Sequence, residues 1–389
     1  MSDARFSSKA YQVLVVGAGP CGCAAAFTLT RAGVDVGLLD RAPFPRPKLC
    51  GGLLTAKTVQ ALEHIFQCDV GELAQADVLE ARSRTYRILH RKHVLCSGQT
   101  RDPFLLARRE PLDALLLERA VNAGVSLLQG RVLQCTPARG EVATAEGEVL
   151  RAEYLIGADG ANSRLRRALK HDKQQWHANL ADTVEIRPPR KILPEPLASQ
   201  DHPSLHLGYT KDGYGWVFPN REHMVLGMCG LRSQTSLIDG FRAMLRSLRL
   251  DPDRHAPFRG HPLPYGNWLA APCRDRLLLA GDAAGFVEPT LGEGIFYALY
   301  TGHHAALSVL DQLHGRGKAD EQYKRRLERD VLPELRGSLR LRRTLRTAVS
   351  LLGYAPMRPL FSVGGHRLGD MVHGRRSYQL LRPKIWQWN

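Results

Sequence analysis

Long apolar runs are missing from this sequence of 389 residues. The nearest approach, 13–29, follows Lys9 and contains three successive alanines, but Gly17, Gly19, Pro20 and Gly22 interrupt its centre. That interruption excludes both a signal segment and a bilayer span, which needs about 20 consecutive apolar residues. Paired cysteines are missing as well. Cys21, Cys23, Cys50, Cys68, Cys96, Cys135, Cys229 and Cys273 are scattered without CxxC spacing. They argue against a zinc site and a disulfide framework, and for a reducing cytoplasm. His64, His90, His93, His303 and His304 show no ligand spacing either, so no metal is expected. Glycine (36) and proline (23) are too few for collagen or a low-complexity chain, and no internal repeat is present. Acidic residues are the scarce charge: 38 Asp and Glu against 54 Lys and Arg leave +16, of which +11 falls within 322–389. Such a surplus suits an anionic cofactor, an acidic protein or an anionic membrane surface. No nucleic-acid recognition motif accompanies it, so no nucleic-acid partner is expected.

What is present begins with a strand–helix–strand unit. Residues 11–16 are a short β-branched apolar run, the pattern of a buried parallel strand. A helix is predicted from Cys21 with Gly33 as its stop, and 34–40 resumes as a second buried strand. Between strand and helix stands Gly17-Ala18-Gly19-Pro20-Cys21-Gly22, the GxGxxG spacing, and Asp40 follows its last glycine by 18 residues. The glycines allow a tight turn and close backbone approach. The helix N-terminus attracts a pyrophosphate, and Asp40 can accept hydrogen bonds from a ribose. The motif assigns dinucleotide binding and leaves FAD and NAD open. Arg41 is placed to contact the adenine side or to stand in solvent. Cys21 and Cys23 are read as small side chains on a closely packed helix. No second GxGxxG follows a strand, so a separate nicotinamide domain is lacking.

A further helix is predicted over 110–124, with Leu112, Leu115, Leu116 and Ala120 at helical spacing, followed by a strand at 125–128. Residues 154–157 and 276–280 are short apolar runs ending in the turns GADG and GDAAG, so two more strands are expected to meet one site. Residues 175–268 mix proline-rich loops with strand-like pieces such as 223–228 and are expected to form a substrate-facing sheet. From 321 onward the pattern is helical and basic. There Leu335, Leu339, Leu345, Val349 and Leu352 alternate with Arg336, Arg340, Arg343 and Arg346, which suits a membrane surface, an acidic partner or packing on the body.

Together with the glycine motif, three segments resemble the flavoprotein hydroxylase superfamily. They are Arg109-Glu110-Pro111-Leu112-Asp113, the run GADGANSRLR at 157–166, and Gly281-Asp282-Ala283-Ala284-Gly285 followed by Pro289 and Gly292-Glu293-Gly294. Within it, Pro47-Lys48-Leu49-Cys50-Gly51-Gly52 and Tyr214-Gly215-Trp216-Val217-Phe218-Pro219 are similar to segments of the geranylgeranyl reductase family. A halogenase is disfavoured, because no WxWxIP segment occurs. The resemblance implies an α/β fold: a Rossmann-type FAD-binding domain, a mixed substrate-binding sheet and C-terminal helices. The expected division is 1–80, 100–170 and 270–320 for FAD, 81–99 and 171–269 for the substrate sheet, and 321–389 as the basic helical segment. By the same resemblance Gly281 and Asp282 hold the ribityl chain, Arg109 reaches the pyrophosphate, and Val132 offers backbone to the adenine. Asp159 serves FAD or a nicotinamide donor.

The activity implied is hydride transfer from reduced FAD to an alkene of a prenyl or isoprenoid compound, with NAD(P)H or an electron-carrier protein as transient reductant. Cys50 is the expected catalytic group, donating or relaying a proton or gating the flavin, with Lys48, Gly51 and Gly52 against the cofactor. On a strand, Tyr214, Trp216 and Phe218 share one face, as the wall of a pocket for an apolar or aromatic substrate or as core. Pro289, Leu291 and Gly292 are expected to shape a turn at the flavin pyrimidine, where backbone amides stabilise negative charge, and Gly294 is expected against the cofactor. Glu293 is a proton relay or a helix N-terminal carboxylate. One alternative is a monooxygenase hydroxylating an aromatic ring through a flavin C4a-hydroperoxide, the ring being a small molecule or a tryptophan of a partner protein in quinone-cofactor maturation. Another is a non-catalytic flavin-bearing scaffold. The expected location is cytoplasmic, at or away from a membrane surface.

Overall fold

The computed structural model describes residues 10–169, 172–232, 236–255, 257–354, 367–379 and 382–389; the rest of the expected terminal segments lies outside these residues. β1 (Ala10–Val16) leads through the glycine turn into α1 (Pro20–Arg31) and back to β2 (Val36–Asp40). β3 (Leu53–Leu54), α2 (Ala56–Phe66) and α3 (Val70–Gln75) precede a long hairpin, β4 (Leu79–His90) and β5 (His93–Ala107). Then come α4 (Arg109–Asn122), β6 (Ser126–Gln129), β7 (Val132–Thr136), β8 (Glu141–Thr144) and β9 (Val149–Gly157). The second half holds α5 (Lys173–Ala178), β10 (Leu180–Ile186), β11 (Ser204–Leu207), β12 (Gly213–Pro219), β13 (Met224–Leu231) and α6 (Leu237–Ser247). It ends with β14 (Arg259–Pro264), β15 (Cys273–Arg274), β16 (Leu277–Leu279), α7 (Ile295–Leu313), α8 (Ala319–Arg326) and α9 (Leu332–Leu352).

The first sheet runs β15-β16-β9-β1-β2-β6, with β8 and β7 added beside β9. Its central strands are parallel, and their register sets Val16 beside Leu39 and Gly157, and Gly157 beside Leu279. Leu14, Val15, Leu38, Leu155, Ile156 and Leu278, which alternate between the two faces, are all buried, so the strands read as unbroken apolar runs. The small residues of α1 are explained by its neighbour α7. A Cβ on Gly302 would lie 2.2 Å from the carbonyl oxygen of Cys21, so the two helices touch backbone to backbone. Cys21 and Cys23 are both buried, Cys23 with its thiol donating to the Ala18 carbonyl at 3.3 Å.

The second sheet runs β14-β10-β13-β12-β11-β4-β5-β3, antiparallel except for the β11–β4 pair. Alternation sorts its faces. Val184, Ile186, Leu226 and Met228 pack on Phe241, Met244 and Leu245 of α6, whereas Thr183, Glu185, Tyr214, Trp216 and Phe218 face a large internal cavity. Beyond α9 the chain returns to the body. Trp386 packs on Phe296, Tyr297 and Tyr300 and donates from Nε1 to the Gly374 carbonyl at 3.2 Å. Trp388 stacks on His64 at 4.8 Å. His303 and His304 meet the carbonyls of Trp388 and Gln387 at 3.0 Å each, so both histidines fasten the C-terminal strap. Among the described residues no helix is long and apolar enough to cross a membrane.

Candidate active site

The aligned carboxyl ends of β1, β2, β9 and β16 bring four turns to one edge, where open α/β sheets bind ligands. Gly17 takes φ +103°, and a Cβ there would lie 2.4 Å from the Ala158 carbonyl oxygen, so only glycine lets the first turn pass beneath the third. Gly19 caps α1 with no side chain, and the position its Cβ would take has only Arg46 Nη2 nearby, at 3.7 Å. Asp40 accepts from the amides of Ala18 at 2.7 Å and Ala42 at 2.9 Å, which pins its carboxylate beside the turn. Gly17, Gly19, Pro20, Asp40, Arg41 and Val132 all line the cavity, which measures about 2,500 Å³.

At the middle of the cavity Asp159, Asp282, Arg109 and Lys48 converge. Burial pushes the Asp282 carboxyl upward, against the opposing pull of Lys48, Arg109 and Arg166. Burial raises Asp159 too, although the amides of Arg164 at 2.6 Å and Leu165 at 3.2 Å stabilise its charge through Oδ2. Its Oδ1 is buried and has no hydrogen-bond partner among the described residues. Arg109 grips Asp113 through two hydrogen bonds of 2.9 and 3.0 Å. Burial disfavours its charge, but Asp113 and the facing Cys50 thiol outweigh that and hold it cationic. Lys48 Nζ donates to His261 Nε2 at 2.7 Å. Burial, then Lys48 and nearby arginines, press His261 down to about 4, so the ring is the neutral acceptor of that bond.

The segment 50–52 lies over the second sheet. A Cβ on Gly52, at φ +74°, would sit 2.0 Å from the Ala107 carbonyl, and the Ala107 amide donates to the Gly52 carbonyl at 2.8 Å. Gly51 rests on Phe218 and Trp216, where a Cβ would come within 2.8 and 3.3 Å of their rings. Arg187 joins the Cys50 carbonyl, at 3.3 Å, to Glu185, at 2.8 Å. Tyr214, Trp216 and Phe218 do share one face, with successive ring centroids 6.2 and 6.4 Å apart. Trp216 Nε1 is buried without a hydrogen-bond partner among the described residues. The Tyr214 hydroxyl donates to the Leu291 carbonyl, and burial drives its pKa far up, so it stays neutral as a strut of that turn.

Not every residue of the motifs reaches the cavity. Gly22 packs under the first turn, where a Cβ would meet the Gly17 carbonyl oxygen at 1.7 Å. Gly281 packs against Cys21, and Pro289 offers its carbonyl to Arg342 Nη1 at 3.0 Å. Gly292, Glu293 and Gly294 line the wall. Glu293, expected as a relay or a helix-end carboxylate, stands just before Gly294, the N-cap of α7; it forms an ion pair with Lys57 at 2.6 Å and accepts from Thr55 at 2.7 Å. Lys57 is 1% exposed and lies among Phe296, Tyr297 and Trp386.

Sequence reasoning missed Lys57, although the signal existed: it is a charge on the stripe Lys57, Ala61 and Ile65 that α2 buries. It also missed Glu288, which accepts from the amides of Thr290 at 2.7 Å and Leu291 at 2.6 Å and from the Ser338 hydroxyl of α9. Nor did it show that α9 closes the cavity, with Leu341, Leu345 and Val349 as lining. Tyr86, Ile88, Phe104, Leu205 and Leu207 line the cavity as well, so these elements give it a gallery of apolar side chains edged by Arg87, Lys211, Asp212, Arg342 and Arg346.

These features define a flavoprotein. The uncapped helix end, the bare backbone at Gly19 and the unpartnered Asp159 Oδ1 fit an extended anionic dinucleotide of the size of FAD. A family model described as FAD binding domain matches residues 10–326. The menaquinone reductase of Mycolicibacterium smegmatis is 32% identical over 326 residues, covering 76% of this chain and 75% of that protein. The geranylgeranyl diphosphate reductase of Rhodobacter capsulatus is 30% identical over 322 residues, covering 80% and 78%. A crystal structure from Thermoplasma acidophilum, described as geranylgeranyl bacteriochlorophyll reductase-like, matches with a TM-score of 0.76 over 91% of each chain at 18% identity, a likeness of fold. The chain thus belongs to the FAD-binding family of flavoproteins, in its geranylgeranyl reductase group, and is an FAD-dependent oxidoreductase.

Proposed function

We propose that the protein reduces carbon–carbon double bonds of a prenyl compound. The observation that carries this is the large cavity, which is lined both by the dinucleotide turns and by the apolar gallery, with Cys50 in its wall. The named activities of the relatives from R. capsulatus and M. smegmatis support it. In this reading Gly17, Gly19, Pro20 and the start of α1 hold the pyrophosphate, Asp40 and Arg41 the adenosine side, and Val132 the adenine. Lys48, Arg109, Asp159 and Asp282 hold the central stretch. Gly51, Gly52, Gly292 and Gly294 flank the ring, while Gly22, Gly281 and Pro289 shape the turns beneath it. When bound and reduced, FAD supplies the hydride, with NAD(P)H or an electron-carrier protein as the source of electrons.

The chain's own residues have the remaining tasks. Tyr86, Phe104, Trp216 and Phe218 exclude water from the alkene. Cys50 Sγ, which accepts from the Gly52 amide at 3.4 Å, holds the proton that the second alkene carbon receives. Glu293 and Lys57 fix the turn at 292–294. The basic C-terminal helix extends the reading to an anionic partner surface. The test is to incubate the reduced FAD-loaded protein with a prenyl substrate and weigh the product. A gain of two hydrogens per double bond is expected; a gain of one oxygen would mean a monooxygenase instead.

A further inference from the structure

We propose that the protein docks on an anionic lipid bilayer with the cavity end built by α9, the β4–β5 tip and the β11–β12 turn, so that its substrate enters from the membrane. The inference rests on the reading of that substrate as a prenyl compound. α9 runs along the cavity, and Leu341, Leu345 and Val349 form a lining stripe at successive turns. Two residues further on, Leu351 and Leu352 are 78% and 63% exposed. Tyr354 stacks on His90 at 3.8 Å, which brings this helix end to the hairpin tip, where Arg91 and Lys92 are exposed and Val94 is 44% exposed. A Cβ on Gly208 would meet His90 at 2.4 Å, so the β11–β12 turn with Lys211 belongs to the same end. Arg346 secures the helix to that turn through Asp212 at 3.0 Å.

The chemistry of this end is that of an interfacial surface. Arg91, Lys92, Lys211 and Arg343 form no ion pair with any described residue; of the carboxylates at this end, Asp212 is 7% exposed and held by Arg346, and Asp239 of α6 lies exposed beside the Lys211 turn. Exposed leucines ringed by unpaired cations suit a bilayer: the leucines enter the acyl boundary and the cations meet anionic headgroups. An acidic protein would satisfy the cations alone. A bilayer accounts both for the cations and for the apolar side chains that protrude at the same end. A prenyl chain passing there exchanges hydrocarbon for gallery wall without crossing water.

The test uses the full FAD-loaded chain and sedimentation with phosphatidylcholine vesicles, with and without phosphatidylglycerol. Binding about tenfold or more tighter to the anionic vesicles is expected, together with a loss of similar size in Leu351→Asp/Leu352→Asp and in Arg91→Glu/Lys92→Glu, FAD content unchanged. All four positions are exposed, so the variants keep their fold. Equal binding to both vesicles would overturn the proposal. So would full binding by the leucine variant, which would leave a plain cation patch of the kind an acidic protein uses. Reduction of a detergent-dispersed prenyl substrate separates the two readings. Its absence with vesicle binding intact sinks the substrate assignment and leaves the surface, and the reverse sinks the surface alone.

Discussion

Lys57 Nζ lies 2.6 Å from Glu293 Oε2, a buried ion pair that ties α2 to the turn at the start of α7. Neither residue has bulk water to fall back on: their side chains are 1% and 11% exposed. Thr55 at 2.7 Å and Thr58 at 3.4 Å satisfy the other carboxylate oxygen. Such a pair need not stabilise the fold against an apolar replacement, but breaking half of it is costly.

Lys57→Met is therefore expected to cost about 3 to 5 kcal/mol, since it leaves the Glu293 carboxylate buried and unpaired. Chemical unfolding of the purified variant measures it, and a parallel fall in FAD content is expected because Glu293 lines the cavity. The double variant with Glu293→Gln should recover part of the loss. A single variant as stable as the parent would show that the pair is not closed to water.

Gly17→Ala should yield protein without flavin. The new methyl group would enter the space of the Ala158 carbonyl, 2.4 Å away, at a φ of +103°. Gly33→Ala is the control: φ is +83°, but nothing lies within 4 Å. That variant bears only the backbone penalty of about 1 to 2 kcal/mol and should purify yellow. The ratio of flavin to protein absorbance distinguishes them, and equal ratios would contradict the role of the turn.

Cys50→Ala should slow single-turnover reduction of a prenyl substrate by about 10² or more, the usual contribution of a positioned proton donor. FAD content should stay unchanged, since the Gly52 carbonyl keeps its hydrogen bond from Ala107 at 2.8 Å when the longer one from the Gly52 amide to Cys50 Sγ is lost. Cys50→Ser should recover part of the rate. Unchanged turnover in both would remove the thiol from the chemistry.

His261 sets a pH dependence. Its folded-state pKa is about 4 against an ordinary 6.5, because burial and then Lys48 disfavour the charged ring. Between those values the unfolded chain binds a proton that the native state refuses, so stability falls as pH drops from 6.5 to about 4. His206, His303 and His373, each held at about 4 by burial, act with the same sign. The carboxyls of Asp282 and Glu288, raised by burial, act against it. His261→Gln keeps an acceptor for Lys48 and removes the titration. Its melting temperature should fall less than that of the parent on acidification, and parallel curves would refute the assignment.

The parts of the site legible in the sequence are those where the backbone does the work. A strand, GxGxxG, a helix and Asp40 in fixed succession leave one arrangement of the turn, and the chain adopts it. The face shared by Tyr214, Trp216 and Phe218 follows from the period of two along β12. Gly22 and Gly281 belong to the same motifs yet serve packing, a distinction that depends on which backbone passes beneath each glycine.

Local pattern thus determined the α/β class and the dinucleotide turn, since each depends on residues close in sequence. The tertiary structure alone decided the pairings across long separations: Lys48 with His261, Lys57 with Glu293, Glu288 with Ser338, and α9 as a cavity wall. A buried charge finds its partner wherever the fold brings an opposite charge or a lone pair within hydrogen-bond reach, and no periodicity along the chain encodes that distance.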